Sequence, residues 1–346
     1  MPLYQKKIHF LLTDMIHRNE KTMKELPQTF DCKHFKQEIN RIALILICYE
    51  AVFLIFAIIF TILLGIWQGL SIIPEANSLD SFNADNLATN GWPYLLSTLI
   101  ATGTAIAFRK QHVLRKDLSC QQKPMRFYAF LFFLAFMMAI QLFNQFFSVA
   151  IESFLNVFGY SMAESMEALT EIDDTVSMFF YVVFIGPVAE EIVFRGVVLH
   201  SLKKYGKIFA IVISSLAFGL MHGNLYQLLF AFGIGLVLAY ITLEYSFKWA
   251  VLLHILNNLI FGEFILFLTR RFSETVIARF QFFFYTIFFI FVLIVLFQKV
   301  PAIRAYFRQH RTAKGQYALT FKSILPLVYF AVNLLLIRLS ITKLVL

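Results

Sequence analysis

The sequence has few charged residues and very few cysteines. Only 15% of its 346 residues are Asp, Glu, Lys or Arg, whereas 59% are hydrophobic and 42 are Phe. Soluble domains contain about 25% charged and about 45–50% apolar residues, so this composition excludes a soluble monomer and a disordered chain. The cysteines, Cys32, Cys48 and Cys120, are too few and too scattered for a disulfide framework or a thiolate metal site.

Long apolar runs take up most of the chain instead. A spanning helix needs about 20 largely apolar residues, and eight runs are read as such helices: 42–67, 92–108, 127–150, 176–199, 208–222, 225–243, 249–268 and 280–297. A ninth run, 324–337, is shorter and either spans the bilayer or lies at its interface. None alternates in polarity as strands of a membrane barrel do. The sequence therefore predicts an all-α polytopic transmembrane bundle of about eight helices.

Basic residues are concentrated in four segments, 1–41, 109–126, 200–207 and 298–322. All four fall on one side of the membrane if eight helices alternate in direction, and the positive-inside rule places that side in the cytoplasm. We therefore attribute the net charge of +9 to orientation in a lipid bilayer and expect no nucleic-acid partner. The expected location is the cell membrane, with several passes and a cytoplasmic N-terminus.

Four regions are expected along the chain. Residues 1–41 are a basic cytoplasmic tail without the apolar core of a cleavable signal peptide. Residues 42–175 contain the first three helices and an acidic outer loop, and 176–268 contain four helices with an unusual set of polar groups. Residues 269–346 form the C-terminal spanning or interfacial helices.

The polar groups of the fourth helix are Glu190, Glu191 and Arg195. An ionisable group inside a bilayer costs several kcal/mol, so each is a functional hypothesis. Glu191 and Arg195 are four residues apart and can pair on one helix face. Glu190 is rotated by about 100° from Glu191 and has no local counter-charge. One paired and one free carboxylate suit general-base chemistry, although a Glu–Arg pair is also a common structural link between helices.

Two later helices contain histidines. His222 ends the fifth helix, and Phe218, one turn earlier, can pack against its ring. His254 and Asn258 are four residues apart in the seventh helix and present two donors that can stabilise a developing oxyanion. A lone membrane histidine is more often a packing residue than a catalyst. It is the combination with the two glutamates, within about 70 residues, that favours a functional site.

These residues resemble the motifs of the CPBP family, intramembrane proteases that include the type II CAAX prenyl endopeptidases and the bacterial Abi and bacteriocin-immunity proteins. The three motifs are Glu190-Glu191-x-x-x-Arg195, Phe218-x-x-x-His222 and His254-x-x-x-Asn258. The resemblance covers about residues 176–268. It implies hydrolysis of a peptide bond in a membrane-associated protein or peptide. It also implies roles for the six polar residues: Glu190 and His222 activate water, Glu191 and Arg195 support Glu190 and position substrate, and His254 and Asn258 stabilise the oxyanion.

Several alternatives stay open. Glu190, His222 and His254 could bind zinc, but the His-Glu-x-x-His spacing is absent and a water held by Glu and His needs no metal, so we favour a site without a cofactor. A proton- or ion-coupled transporter would also use intramembrane Glu, His and Arg. A third alternative is a non-catalytic scaffold or immunity protein of the same family. The sequence does not indicate whether the substrate is prenylated.

The predicted helix boundaries present one difficulty for this site. At 1.5 Å per residue, His222 lies about 20 Å from Lys207, which places it nearer the outer surface than Glu190. The motifs require His222 to reach Glu190. We therefore expect a tilted or sunken fifth helix, or different boundaries between residues 199 and 208.

Overall fold

A computed structural model describes residues 31–72, 87, 89–109, 115–116, 118–165, 175–260, 265 and 271–344. The chain divides into two compact units, Met1–Glu38 and Ile39–Leu346. Only residues 31–38 of the first unit are described, so most of the predicted basic tail lies outside the described residues. In this region the Asp31 carboxylate accepts the backbone N–H groups of Lys33 and His34 at 2.9 and 3.0 Å and caps the first helix.

Long helices make up almost all of the described chain. They are α1 (Cys32–Ile72), α2 (Gly91–Arg109), α3 (Phe127–Val157), α4 (176–202), α5 (Lys207–Met221), α6 (Leu225–Glu244), α7 (Phe247–Asn257), α8 (Glu274–Gln309), α9 (Gln316–Phe321) and α10 (Ile324–Leu339). The helix α4 is continuous but changes its hydrogen-bond register through five segments: Val176–Phe180, Tyr181–Ile185, Gly186–Glu190, Glu191–Leu199 and His200–Leu202. A 3₁₀ turn, Lys203–Tyr205, separates α4 from α5.

The all-α polytopic fold predicted from the sequence is confirmed. Within the described residues, four helices are long and apolar enough to cross a membrane: Cys32–Gly69, Phe127–Val157, Leu225–Glu244 and Thr275–Gln309. Shorter apolar helices cover Lys207–Met221, Phe247–Ile260 and Ile324–Leu339. The protein is therefore a membrane protein with several apolar helices, and the count of eight spanning helices stays a prediction. The β-structure of the described residues is a short antiparallel pairing of β1 (Tyr160–Ser161) with β2 (Thr342–Lys343) and an isolated bridge between Gln121 and Ser246.

The outer helices expose large apolar side chains. On α1 and α8 the exposed fraction of Trp67 is 66% and that of Phe297 is 82%. Water would oppose exposure of this kind, whereas lipid tails do not. The interior is formed where α3, α6 and α7 pack together, around buried Met137, Ile234, Leu238 and Leu253.

Helices α5 and α6 approach each other very closely at Gly219. A Cβ atom built at this position would lie 2.6 Å from the Leu228 carbonyl oxygen and 3.2 Å from the Phe232 backbone nitrogen. Only a residue without a side chain permits this contact. The glycine immediately follows Phe218 and lies three residues before His222, so the close approach occurs next to the candidate site.

Three of the predicted cytoplasmic segments meet at one end of the bundle. The Glu244 carboxylate, at the end of α6, accepts Lys123 Nζ at 2.9 Å, Lys207 Nζ at 2.6 Å and the Tyr306 hydroxyl at 3.0 Å. Lys123, Lys207 and Tyr306 come from the segments 109–126, 200–207 and 298–322. Their convergence shows that these segments share one end of the molecule, as the alternation of helices predicts. The orientation of that end relative to the cytoplasm is a separate matter and stays a prediction.

Candidate active site

The helix α4 contains two π-helical segments, Tyr181–Ile185 and Glu191–Leu199, on either side of a short α-helical turn. Pro187 lies in that turn and has no N–H group to donate. Such π segments are rare and often occur at functional sites, because they change the direction in which successive side chains point. Glu190 is the last residue of the α-helical turn between them, and the second π segment begins at the next residue, Glu191.

The predicted pairing of Glu191 with Arg195 is confirmed. Arg195 Nε lies 3.1 Å from Glu191 Oε2, and neither side chain has any exposed surface. None of the three guanidinium nitrogens of Arg195 has a hydrogen-bond acceptor among the described residues, so its contact with Glu191 is an ion pair without a hydrogen bond. Instead, the guanidinium carbon lies 4.7 Å from the centre of the Phe218 ring. An arginine cation at this distance from an aromatic face is attracted by the ring quadrupole, so Phe218 contributes to holding the charge in the interior.

His254 lies between the two glutamates. Its Nδ1 is 3.0 Å from Glu191 Oε1, and its Nε2 is 3.6 Å from Glu190 Oε2. The two carboxylates differ in their access to solvent, because the Glu191 side chain is fully buried whereas 19% of the Glu190 side chain is exposed. Glu190 therefore combines a histidine neighbour with access from outside the packed interior.

His222 is joined to the same cluster through Phe218. The His222 Nδ1–H donates to the Phe218 carbonyl oxygen at 2.9 Å, and the two rings meet edge to face with centroids 5.0 Å apart. The other side of Phe218 meets His254 with centroids 5.8 Å apart. Because a carbonyl oxygen only accepts, the proton of neutral His222 is on Nδ1 and the Nε2 lone pair is free to accept a proton.

Different helix boundaries do not explain the apparent depth of His222. Helix α5 covers Lys207–Met221, so its predicted boundaries were correct to within one residue. The ring of Phe218 lies between His222 and His254 and also meets the Arg195 guanidinium, so His222 is linked to the cluster through this ring. A direct contact between His222 and Glu190, which the motifs require, stays a prediction.

The sixth predicted residue, Asn258, makes a different contact. Its Nδ2 donates to the Val182 carbonyl oxygen of α4 at 2.9 Å, and its Oδ1 accepts the Asn257 amide at 3.1 Å. Asn258 thus contacts α4 through the Val182 backbone, and no contact of its amide with either glutamate is seen among the described residues. The oxyanion roles of His254 and Asn258 stay predictions.

The proposed zinc alternative requires three ligands directed at one point. Among the residues that the structure describes, no group of three or more His, Cys, Asp or Glu side chains is arranged to hold a metal ion. In the observed arrangement both ring nitrogens of His254 face carboxylates, and Nδ1 of His222 faces a backbone carbonyl. The dependence of activity on metal is therefore a matter for experiment.

Glu50, a partly buried carboxylate of α1, was not predicted from the sequence as a residue of interest. Its Oε1 accepts the Tyr329 hydroxyl at 2.8 Å and its Oε2 accepts the Asn333 amide at 3.1 Å, so it joins α1 to α10. The Tyr329 hydroxyl also lies 3.0 Å from the Ala217 carbonyl oxygen of α5. The sequence feature that could have identified Glu50 is its position as the single carboxylate in the apolar run 42–67. Its partners are more than 270 residues away and are found only in the folded chain.

Comparisons with known proteins agree with the resemblance predicted from the motifs. Residues 172–260 match the family described as type II CAAX prenyl endopeptidase Rce1-like. A Bacillus subtilis (strain 168) protein described as "Putative membrane peptidase YdiL" is 31% identical over 123 residues, which are 34% of this chain and 50% of the relative. The chain thus spans half the length of this curated relative. No solved structure matches. The resemblance to CAAX-type membrane proteases is confirmed for the segment that contains all six candidate residues.

Proposed function

We propose that this protein is an intramembrane endopeptidase that hydrolyses a peptide bond in a membrane-anchored protein or peptide. The observation that supports this most directly is the difference between adjacent glutamates. Glu191 is fully buried and tied to Arg195 and His254, whereas the Glu190 side chain is 19% exposed and has His254 Nε2 at 3.6 Å. A base must reach a water molecule, and Glu190 is the carboxylate of the pair that can do so.

The cluster contains a partly exposed carboxylate, Glu190, beside His254, and Phe218 links His254 to His222. In the proposed reaction, Glu190 takes a proton from water while His222 Nε2 accepts a hydrogen bond from it. The water oxygen bonds to the carbonyl carbon, and the oxyanion is stabilised by donors that include His254. Glu190 then returns the proton to the leaving nitrogen as the C–N bond breaks.

Removal of the Glu190 charge tests this proposal without knowledge of the substrate. Membranes from cells that express wild-type protein or Glu190→Gln are compared by mass spectrometry of newly formed peptide termini. We expect wild-type cells to show termini that are absent with Glu190→Gln, although both proteins accumulate equally. Glu50→Gln is the matched control, since it replaces another partly buried helix carboxylate that is outside the cluster. Unchanged termini in a well-expressed Glu190→Gln variant would refute the role of Glu190 as base.

We also propose that the substrate is attached to the membrane beside its cleavage site, as the description of the matching family suggests. A purified sample in lipid vesicles can be given a farnesylated peptide ending in a CAAX sequence, and the same peptide without the prenyl group. Cleavage of the farnesylated peptide alone would identify a prenylated substrate. Cleavage of both would point to a membrane-associated peptide with no prenyl requirement, and cleavage of neither would exclude this substrate class.

A further inference from the structure

One backbone carbonyl of α4 loses both of its ordinary hydrogen-bond donors. In an α-helix the Val182 carbonyl would accept the N–H of Gly186, but Gly186 donates to the Tyr181 carbonyl in the π register instead. In that π register the Val182 carbonyl would accept the N–H of Pro187, and proline has none. The register change and the proline together therefore leave Val182 without a backbone partner, eight residues before Glu190.

The Asn258 side chain fills this gap. Its Nδ2 donates to the Val182 oxygen at 2.9 Å. The orientation of the amide is fixed from the other side, since Asn258 Oδ1 accepts the Asn257 Nδ2 at 3.1 Å and Asn257 is itself buried. An unpaired carbonyl inside a membrane protein is unfavourable because no water solvates it, so this side-chain bond replaces one that the backbone cannot make.

The same helix therefore holds α4 at two places. His254, one turn before Asn258 on α7, contacts Glu190 and Glu191, and Asn258 holds α4 at Val182. Residues 182 and 190 are about 12 Å apart along a helix axis. Two contacts separated by that distance fix both the position and the rotation of α4, and hence the direction in which Glu190 points.

We propose that Asn258 is a positioning residue, which replaces the hydrogen bond that Pro187 cannot donate to Val182 and so holds Glu190 in place opposite His254. This inference rests on the proposed function only in taking Glu190 as the base. It is separate from the role that the resemblance implies, in which the Asn258 amide binds the oxyanion directly, because Nδ2 has two hydrogens and the bond to Val182 uses one of them.

A double-mutant cycle distinguishes the two roles. The variants are Asn258→Ala, Pro187→Ala and the double variant, each purified and measured for thermal unfolding in detergent and for kcat and KM on a cleaved peptide. Alanine at 187 restores an N–H group that can pair with Val182. We expect Asn258→Ala to lower the unfolding midpoint and to reduce kcat about tenfold or more. The double variant should recover most of both losses, and Pro187→Ala alone should stay near wild type.

Pro301→Ala is the control, because Pro301 also lies within a helix but far from Val182 in the chain. It should not rescue Asn258→Ala. A direct oxyanion role predicts the contrasting result: kcat falls by about 10²–10³ with an unchanged unfolding midpoint, and Pro187→Ala restores nothing. That outcome would overturn the inference. The unfolding cycle needs no activity, so a failure of the proposed protease function would leave the stability test of the Asn258–Val182 bond intact.

Discussion

Arg195 and Glu191 form an ion pair with no exposed surface on either side chain, with Nε and Oε2 3.1 Å apart. Breaking a buried pair costs about 3–5 kcal/mol, because the remaining charge has no partner. We expect Arg195→Ala to lower both abundance in the membrane and the unfolding midpoint. Replacing both charges, in Glu191→Gln with Arg195→Gln, should recover much of the stability but not the activity. Equal stability of Arg195→Ala and the wild type would show that the pair contributes nothing to folding.

His222 allows its two ring nitrogens to be tested separately. Asparagine retains a donor at the position of Nδ1, which can still bond to the Phe218 carbonyl, but it has no group at the position of Nε2. We expect His222→Asn to fold and to lose about 10²–10⁴ in kcat. Glutamine is the complementary variant, because its amide lies near the position of Nε2 and leaves no donor at the position of Nδ1. If His222→Asn kept wild-type kcat, the Nε2 atom would have no part in activating water.

The reaction as proposed uses no metal. Treatment of the purified protein with a strong chelator, followed by removal of the chelator, should leave kcat unchanged, and elemental analysis should find far less than one zinc per chain. The zinc alternative, with Glu190, His222 and His254 as ligands, predicts loss of activity and its recovery on addition of zinc. A stoichiometric metal whose removal abolishes activity would therefore favour that alternative.

The orientation of the bundle can be measured with two exposed positions near its opposite ends. Glu164→Cys and Lys204→Cys are placed singly in a chain that lacks Cys32, Cys48 and Cys120. If the basic segments are cytoplasmic, a membrane-impermeant thiol reagent added to intact cells should label position 164 only. Labelling of position 204 from outside would show that the orientation is the opposite one, with the Glu244 end of the bundle at the external surface.

Short-range contacts of the site were predictable from residue spacing, and the motifs indicated which helices contribute to it, but the individual contacts between helices were not predictable. The spacing of Glu191 and Arg195 indicated their contact because it depends only on helix geometry. The neighbour of Glu190 is His254, from another helix, and no local pattern identifies it. The bond from Asn258 to Val182 was also hidden, because it depends on a register change in α4. The sequence shows Pro187, but it does not show which carbonyl the proline leaves unpaired.

Gly219 determines how closely α5, which ends beside His222, can approach α6. The glutamates are on α4, whereas His222 is at the end of α5, which packs against α6 through the bare backbone of Gly219. A methyl group there would have to displace the Leu228 carbonyl, and α5 would move with it. The position of His222 relative to α6 therefore depends on the absence of a Cβ atom at residue 219.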